Sequence, residues 1–189
     1  MKDVLEQLII DKITVTEEEL NRIRSFFKPI KVQKNEKLLE NDQVADRLFF
    51  ISKGCLRLYY NNDDYPGSTR FMAFENTFLT SIVSFISREP APENIQAVEN
   101  SELLFITHND FFYLKEMIPA WEKFYIYILE YGLTVITSRL NSLLTQNASE
   151  RYKTLLKNNP ELIQRLSNSN LAAYLNISPE TLSRLKSTI

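Results

Sequence analysis

The chain is short of the side chains that carry chemistry. Its 189 residues include one cysteine, Cys55, and one histidine, His108. One cysteine forms no intrachain disulfide and supplies only one of the four thiolates that usually hold an iron–sulfur cluster. A zinc site of Cys and His is equally out of reach, and a lone histidine disfavours haem sensing. A metal-dependent barrel enzyme wants several histidines. Cofactor-free acid–base catalysis wants paired groups in a pocket, whereas Glu75, Glu89 and Glu93 read as solvated loop charges. The expectation is a protein that is not an enzyme, with no metal and no cofactor. Long hydrophobic runs are missing too. No stretch approaches the roughly 18 apolar residues that cross a bilayer. The start, Met1 to Glu6, lacks the charged and apolar regions of a signal peptide. These absences predict a cytoplasmic protein with no membrane partner.

What is present describes a folded chain. Hydrophobic residues make up 44% and aromatics 12%, enough for one large domain or two small ones. Net charge is −2, but it is unevenly placed. Residues 1–138 carry 15 Lys and Arg against 21 Asp and Glu, a net of −6; residues 139–189 carry 7 against 3, a net of +4. The basic excess therefore lies at the C-terminal end, where contact with a polyanion would be placed. Cys55 sits in an apolar, strand-like run and reads as a small buried hydrophobe. Its cationic neighbours Lys53 and Arg57 leave a thiol-sensor reading open.

Periodicity divides the chain into three textures. Thr16 is an N-cap with Glu19 three residues on, a capping box, and Val15 and Leu20 are spaced for a hydrophobic staple. That helix is predicted to run to about Phe27, ahead of Pro29. From Ile30 to Ile106 come short β-type runs: Ile30–Val32, Lys37–Leu39, Leu48–Ser52, Cys55–Tyr60, Thr69–Phe74, Asn94–Val98 and Leu103–Ile106. Turn signals separate them at Asn41-Asp42, Lys53-Gly54, Asn61-Asn62-Asp63-Asp64 and Pro66-Gly67. Regular spacing of this kind predicts an antiparallel barrel or roll. Between Phe78 and Pro92 there is room for a short helix. Thr107 and Asp110 then open a helix over about Asn109–Met117.

After Pro119 a long helical pattern runs to about Asn147. Its apolar residues are Trp121, Phe124, Tyr125, Ile128, Leu129, Gly132, Val135, Ile136, Leu140 and Leu143. They cover too wide a face for one surface helix. One stripe against its own domain and another against a second subunit explains this width; a two-sided core helix is the alternative. Gly132, unfavourable in a helix, would suit a close helix approach. Ala148–Lys157 continues as a helix stopped by Asn158-Asn159-Pro160, and Glu161–Leu166 forms a further short element.

The last twenty residues read as two short helices joined by a tight turn, the way many proteins present one helix to the major groove of DNA. Leu171, Ala172 and Leu175 form the inner face of the first helix. Asn176 tolerates the positive φ the turn needs, and Ile177 fills the gap between helices. Ser178 is an N-cap and Pro179 suits the first helical position. Leu182 and Leu185 then face inward, and Glu180, Thr181, Ser183, Arg184 and Lys186 face out. Arginine reaches guanine, glutamate accepts from cytosine, and Ser, Thr and Lys grip the backbone. The plain alternative is an αα-hairpin with a solvated Glu180–Arg184 pair.

The order of elements resembles the Crp/Fnr family of bacterial transcription regulators. The resemblance spans nearly the whole chain. It is carried by Ala45-Asp-Arg-Leu-Phe-Phe-Ile-Ser-Lys-Gly-Cys-Leu-Arg-Leu-Tyr59, Ser101-Glu-Leu-Leu-Phe-Ile106, Ser149-Glu-Arg-Tyr152 and Leu171-Ala-Ala-Tyr-Leu-Asn-Ile-Ser-Pro-Glu-Thr-Leu-Ser-Arg184. It implies an α+β fold with three parts. Residues 1–118 would be an antiparallel double-stranded β-helix, a jelly-roll-like β-roll of the cyclic-nucleotide-binding kind. Residues 119–147 would be the dimerisation helix, and residues 148–189 the helix-turn-helix domain. It implies a homodimer that reads a two-fold symmetric DNA site, with RNA polymerase as a further partner. Glu180 and Arg184 match the family's base-reading positions; a third such position is Pro179, which has no donor. The family's β-hairpin wing is not seen after the recognition helix, so backbone contacts would lean on Ser178, Thr181, Ser183 and Lys186.

The ligand cassette departs from the family pattern. Members that bind cyclic AMP use a Gly-Glu-Leu turn and an Arg-Ser pair. Thr80-Ser81 stands near the first and Ala91-Pro92 near the second. A buried phosphate without that arginine would be poorly compensated. Arg88 is the one cation inside the cassette, and Thr137-Ser138 match the family's contact with a ligand's base. The candidate effector residues are therefore Thr80, Ser81, Arg88, Thr137 and Ser138, for a small molecule other than cyclic AMP bound in the usual way. The rival reading is a sensing β-roll dimer that has lost DNA contact.

Overall fold

The computed structural model describes residues 4–61 and 66–188, so the turn expected at Asn61-Asn62-Asp63-Asp64 falls largely outside the described residues. Two helices lead the chain, α1 (Val4–Lys12) and α2 (Glu17–Phe26). The capping box forms as expected. Thr16 Oγ1 accepts from the Glu19 N–H at 3.2 Å, and Glu19 Oε2 accepts from the Thr16 N–H at 2.7 Å. This satisfies two of the donors that a helix start leaves free.

Among the described residues eight strands follow: β1 (Lys28–Val32), β2 (Lys37–Leu39), β3 (Arg47–Lys53), β4 (Leu56–Asn61), β5 (Pro66–Ala73), β6 (Phe78–Leu79), β7 (Asn94–Ala97) and β8 (Ser101–Thr107). They form two four-stranded sheets in the orders β1-β8-β3-β6 and β2-β7-β4-β5, with every pairing antiparallel. The expected α+β architecture with an antiparallel roll is therefore present. In β3, the consecutive residues Leu48, Phe49, Phe50 and Ile51 are all buried. A strand with both faces covered shows such a continuous run instead of alternation. Between β3 and β4, Gly54 has φ +110°, and a Cβ there would lie 2.1 Å from Ser101 Oγ. Only glycine fits this corner.

Two elements were not legible: α1, and the two-residue β6, too short to show a period. A third difference is Pro66-Gly67, expected as a turn, which begins β5. Its proline stands at the first strand position, where a missing N–H is tolerated. The cassette helix α3 (Ile82–Ser87) is where room was found for it.

Beyond the roll come α4 (His108–Met117), α5 (Trp121–Thr145), α6 (Ala148–Asn158), α7 (Pro160–Arg165), α8 (Asn168–Leu175) and α9 (Pro179–Thr188). The chain breaks between α5 and α6 at Gln146 and Asn147, both extended, and Asn147 forms a capping box with Glu150.

The buried side chains form two clusters. The larger fills the roll and holds the N-terminal half of α5 through Trp121, Phe124 and Ile128. Trp121 Nε1–H donates to the Phe111 carbonyl at 3.1 Å, which satisfies its one polar atom. The smaller gathers Tyr152, Leu155, Leu162, Leu166, Leu171, Ala172, Leu175 and Leu182 from the C-terminal helices with Cys55, Met72 and Val98 from the roll. The helical domain is thus docked on the outer face of the β4–β5 sheet. Cys55 is fully buried there, and burial, the largest cause, pushes its thiol up to about 12. It behaves as the expected small hydrophobe.

Candidate nucleic-acid interface and effector cavity

The α8–turn–α9 unit follows its local chemistry closely. Asn176 adopts left-handed φ 54°, ψ 52°, and its N–H closes α8 on the Ala172 and Ala173 carbonyls. Ser178 Oγ accepts from the Thr181 N–H at 3.1 Å and starts α9 ahead of Pro179. Leu182 is fully buried, and Ile177 and Leu185 pack on the same cluster. Ser178, Glu180, Ser183, Arg184 and Lys186 are exposed, and Thr181 is half-buried. Glu180, Ser183 and Arg184 thus share the outer face of a helix whose inner face closes the core, with Ser178 at its start and Thr181 and Lys186 toward its flanks.

Their local bonds differ. The Ser178 hydroxyl serves the cap and also lies 3.1 Å from Thr181 Oγ1. Lys186 Nζ donates to Asn168 Oδ1 at 2.6 Å, which draws it toward the start of α8. Glu180 is held below the usual carboxylate range, first by its own backbone N–H, then by the Ser178 hydroxyl and Arg184. It is an acceptor at neutral pH.

A cavity of about 270 Å³ lies between the roll and α5. Leu48, Leu58, Phe71, Phe78, Tyr127 and Ile128 make much of its wall, and Arg70, Asn76, Thr77 and Thr80 are its polar rim. Of the five candidate effector residues only Thr80 lines it. Its hydroxyl donates to the Arg47 carbonyl at 2.9 Å. Ser81 is fully buried beside it, its Oγ without a hydrogen-bond partner. Arg88 turns to the outside instead, donating to the Ala45 carbonyl at 2.8 Å and to Asp46 Oδ1 at 2.9 Å. Thr137 is exposed on α5, and Ser138 borders a separate cavity near Arg139 and Tyr174. The five are not gathered into one site.

Sequence reasoning misplaced two carboxylates. Glu93 is not a solvated loop charge: it is 1% exposed and pairs with Arg70 at 2.8 Å. Glu75 is bound on several sides by Arg165 and the Gly54 N–H. Strand spacing carried no signal for either, because both partners come from distant segments. The Glu93 pairing bears on cyclic nucleotides. Arg70 is the cation on the cavity wall and already holds a buried carboxylate. A cyclic phosphate would have to displace Glu93 and leave that charge unpaired. Ala91, near where the resemblance would put an arginine, is itself buried. The residues present do not fit a cyclic nucleotide in the usual pose.

Helix α5 leaves Ile126, Leu133, Ile136, Leu140 and Leu144 exposed along its length. With the half-buried Leu129 and Leu143, the set Ile126, Leu129, Leu133, Ile136, Leu140 and Leu143 alternates steps of three and four along one face. That is the seam of a coiled coil. Ile126 and Leu133 had not been singled out, although the same heptad spacing was there to find them. Nothing lies within 4 Å of a Cβ built on Gly132, so no neighbour within the chain requires a glycine there.

Together the sheets and helices define a β-roll of the cyclic-nucleotide-binding type carrying a C-terminal helix-turn-helix. Residues 29–116 match the family described as cyclic nucleotide-binding domain. Solved structures with the same fold include the c-di-GMP-responsive global regulator CLP of Xanthomonas campestris, with TM-score 0.72, 16% identity, and coverage of 91% of this chain and 90% of that one. FixK2 of Bradyrhizobium japonicum matches with TM-score 0.71, 17% identity, and 85% and 83% coverage. The catabolite activator protein of Thermus thermophilus matches with TM-score 0.57, 19% identity, and 92% and 83% coverage. A comparison with curated proteins finds no match. The resemblance to Crp/Fnr regulators read from the sequence is borne out: the chain has their fold. Among the described residues no helix is long and apolar enough to cross a membrane, and no group of His, Cys, Asp and Glu could hold a metal ion.

Proposed function

We propose that this chain is a DNA-binding transcription regulator of the Crp/Fnr type. It acts as a homodimer on a two-fold symmetric site, under control of a small molecule or partner at the β-roll. The observation that carries this reading is α9. Its inner residues are committed to the core, and its outer face presents an acceptor, Glu180, beside Arg184, with Ser183 and Lys186 flanking. Hydrogen-bond donors and acceptors mixed on one exposed helix face suit base edges and phosphates. The basic balance of residues 139–189 supports the same end of the molecule.

Dimerisation rests on the α5 seam. Six apolar residues at heptad spacing on a 25-residue helix are disfavoured in water and suit a second copy. Two such helices would set the recognition helices about one DNA turn, roughly 34 Å, apart. The effector would be apolar in its main body, to match the cavity wall, and would not require a cyclic phosphate. RNA polymerase as a partner and a cytoplasmic location follow from the same reading.

Selection of bound fragments from a random DNA pool by the purified protein tests it. Recovery of a palindromic consensus is expected. Arg184→Ala should then lose roughly 1–3 kcal/mol of discrimination at one base position per half-site. The double variant Leu133→Asp/Leu140→Asp should sediment as a monomer and lose the palindromic preference. A wild-type dimer indifferent to DNA sequence would favour a sensing roll without DNA contact.

A further inference from the structure

The helical domain is clamped to the roll at one charged point. Arg165, at the end of α7, reaches two roll carboxylates. Its Nη1 and Nη2 donate to Glu75 at 2.9 and 2.5 Å, and its Nε and Nη2 donate to Glu99 Oε1 at 2.9 and 2.5 Å. The guanidinium also sits 5.6 Å from the centre of the Phe74 ring. Glu75 is fixed from behind by the Gly54 N–H at 2.7 Å. Removing Arg165 would leave two carboxylates facing each other, so the clamp strongly favours the docked arrangement. A weaker tie accompanies it: Arg57 donates to Asn170 Oδ1 at 3.4 Å.

The clamp and the cavity share one short segment. Residues 74–77 connect β5 to β6. Phe74 and Glu75 hold Arg165, while Asn76 and Thr77 line the cavity. Thr77 Oγ1 donates to the Phe74 carbonyl at 2.6 Å, tying the two ends of the turn together. The turn is also pinned to β3, through Asn76 N–H to the Ile51 carbonyl at 2.9 Å and Ile51 N–H to the Thr77 carbonyl at 3.0 Å. Asn76 stands in left-handed backbone at φ 65°, a position that does not shift smoothly into neighbouring conformations.

We infer that the turn Phe74–Thr77 is the lever between the cavity and the DNA-binding domain: a shift of its cavity-lining end moves Glu75 and with it the Arg165 clamp that docks α6–α9. The effector role of the cavity rests on the function proposed above; the mechanical link does not. An occupant pressing on Asn76 and Thr77 would change how firmly the helical domain is held and so the spacing of the two recognition helices. The turn would then be the element whose position both sites bias.

Cys55 makes the link measurable. It is the chain's one cysteine, fully buried in the cluster that joins roll and helical domain, so its labelling by an aromatic disulfide reagent reports undocking. In the full chain, Glu75→Gln should speed labelling roughly ten-fold or more, the equivalent of one lost charge-assisted hydrogen bond. Thr77→Ala touches neither Arg165 nor Cys55 yet should speed it several-fold, by about half as much on a logarithmic scale; Thr77→Ser should restore the wild-type rate. Amide hydrogen exchange in β3 and β8 should stay unchanged in all three.

An unchanged rate in Glu75→Gln would overturn the clamp. An unchanged rate in Thr77→Ala beside a fast Glu75→Gln would overturn the lever. Loss of β3 and β8 protection together with fast labelling would mean general loosening, and would overturn both. None of these readings involves DNA, so failure of the lever is distinct from failure of the proposed function.

Discussion

The two apolar clusters are built differently. The roll's cluster is dominated by large rings: Phe49, Phe50, Phe85, Phe111, Trp121 and Phe124 are all fully buried. Many meet edge-on or tilted, as in Phe50–Phe78 at 5.1 Å, Phe78–Phe124 at 5.9 Å and Phe111–Trp121 at 5.3 Å. Rings that interlock in this way leave few alternative packings. The junction cluster is mostly leucine, with Cys55 and Met72, and it is bordered by arginine hydrogen bonds to carboxylates, an amide and carbonyls. Leucine contacts adapt and polar straps can exchange with water. The first cluster ties the roll to the N-terminal half of α5; the second joins the roll to the helical domain.

Three measurements would break or sharpen this contrast. The largest effect is expected from Trp121→Ala, which should cost about 3–5 kcal/mol of global stability. It should remove hydrogen-exchange protection in β3, β8 and α5 together. Leu182→Ala should cost about 2–5 kcal/mol, but its loss of protection should be confined to α6–α9, with the roll intact. Coincident loss in both regions would merge the two bodies into one cooperative unit. The smallest effect concerns alkaline pH. The folded Cys55 thiol is raised to about 12 from a reference of 9.0, so the folded state keeps its proton where the unfolded state has lost it. That contribution to stability is complete below about pH 9 and fades as pH rises toward 12. Denaturant titrations across this window should show a shallower decline for Cys55→Ala than for the wild type. Equal slopes would mean the junction is already open to solvent.

Legibility followed the same division. Elements with strong local chemistry were readable: the Thr16–Glu19 capping box, the Asn176 turn and the Ser178-Pro179 helix start all stand where the residues placed them. Most strand runs were found within a few residues, because β-rich segments here are separated by turn residues. α1 and β6 escaped notice, one for lack of a strong start signal and one for its length. Among site residues, the outward face of α9 followed from helical period alone. The effector set did not come together. Arg88 was chosen as the cation in the cassette, yet its side chain is taken by Ala45 and Asp46, whereas Arg70, from another strand, reaches the cavity.

Periodicity, turn residues and capping residues by themselves determined the succession of strand-rich region, long helix and terminal helix pair, since each of those signals is local; which strands pair was left to the tertiary structure, as with β1 on β8. Tertiary structure alone decided that Glu93 is buried against Arg70, that Glu75 and Glu99 share Arg165, and that Cys55 lies beneath the helical domain. Those pairings join residues 23 to 90 positions apart, and charge at such separations has no period to read; only the folded backbone brings it together.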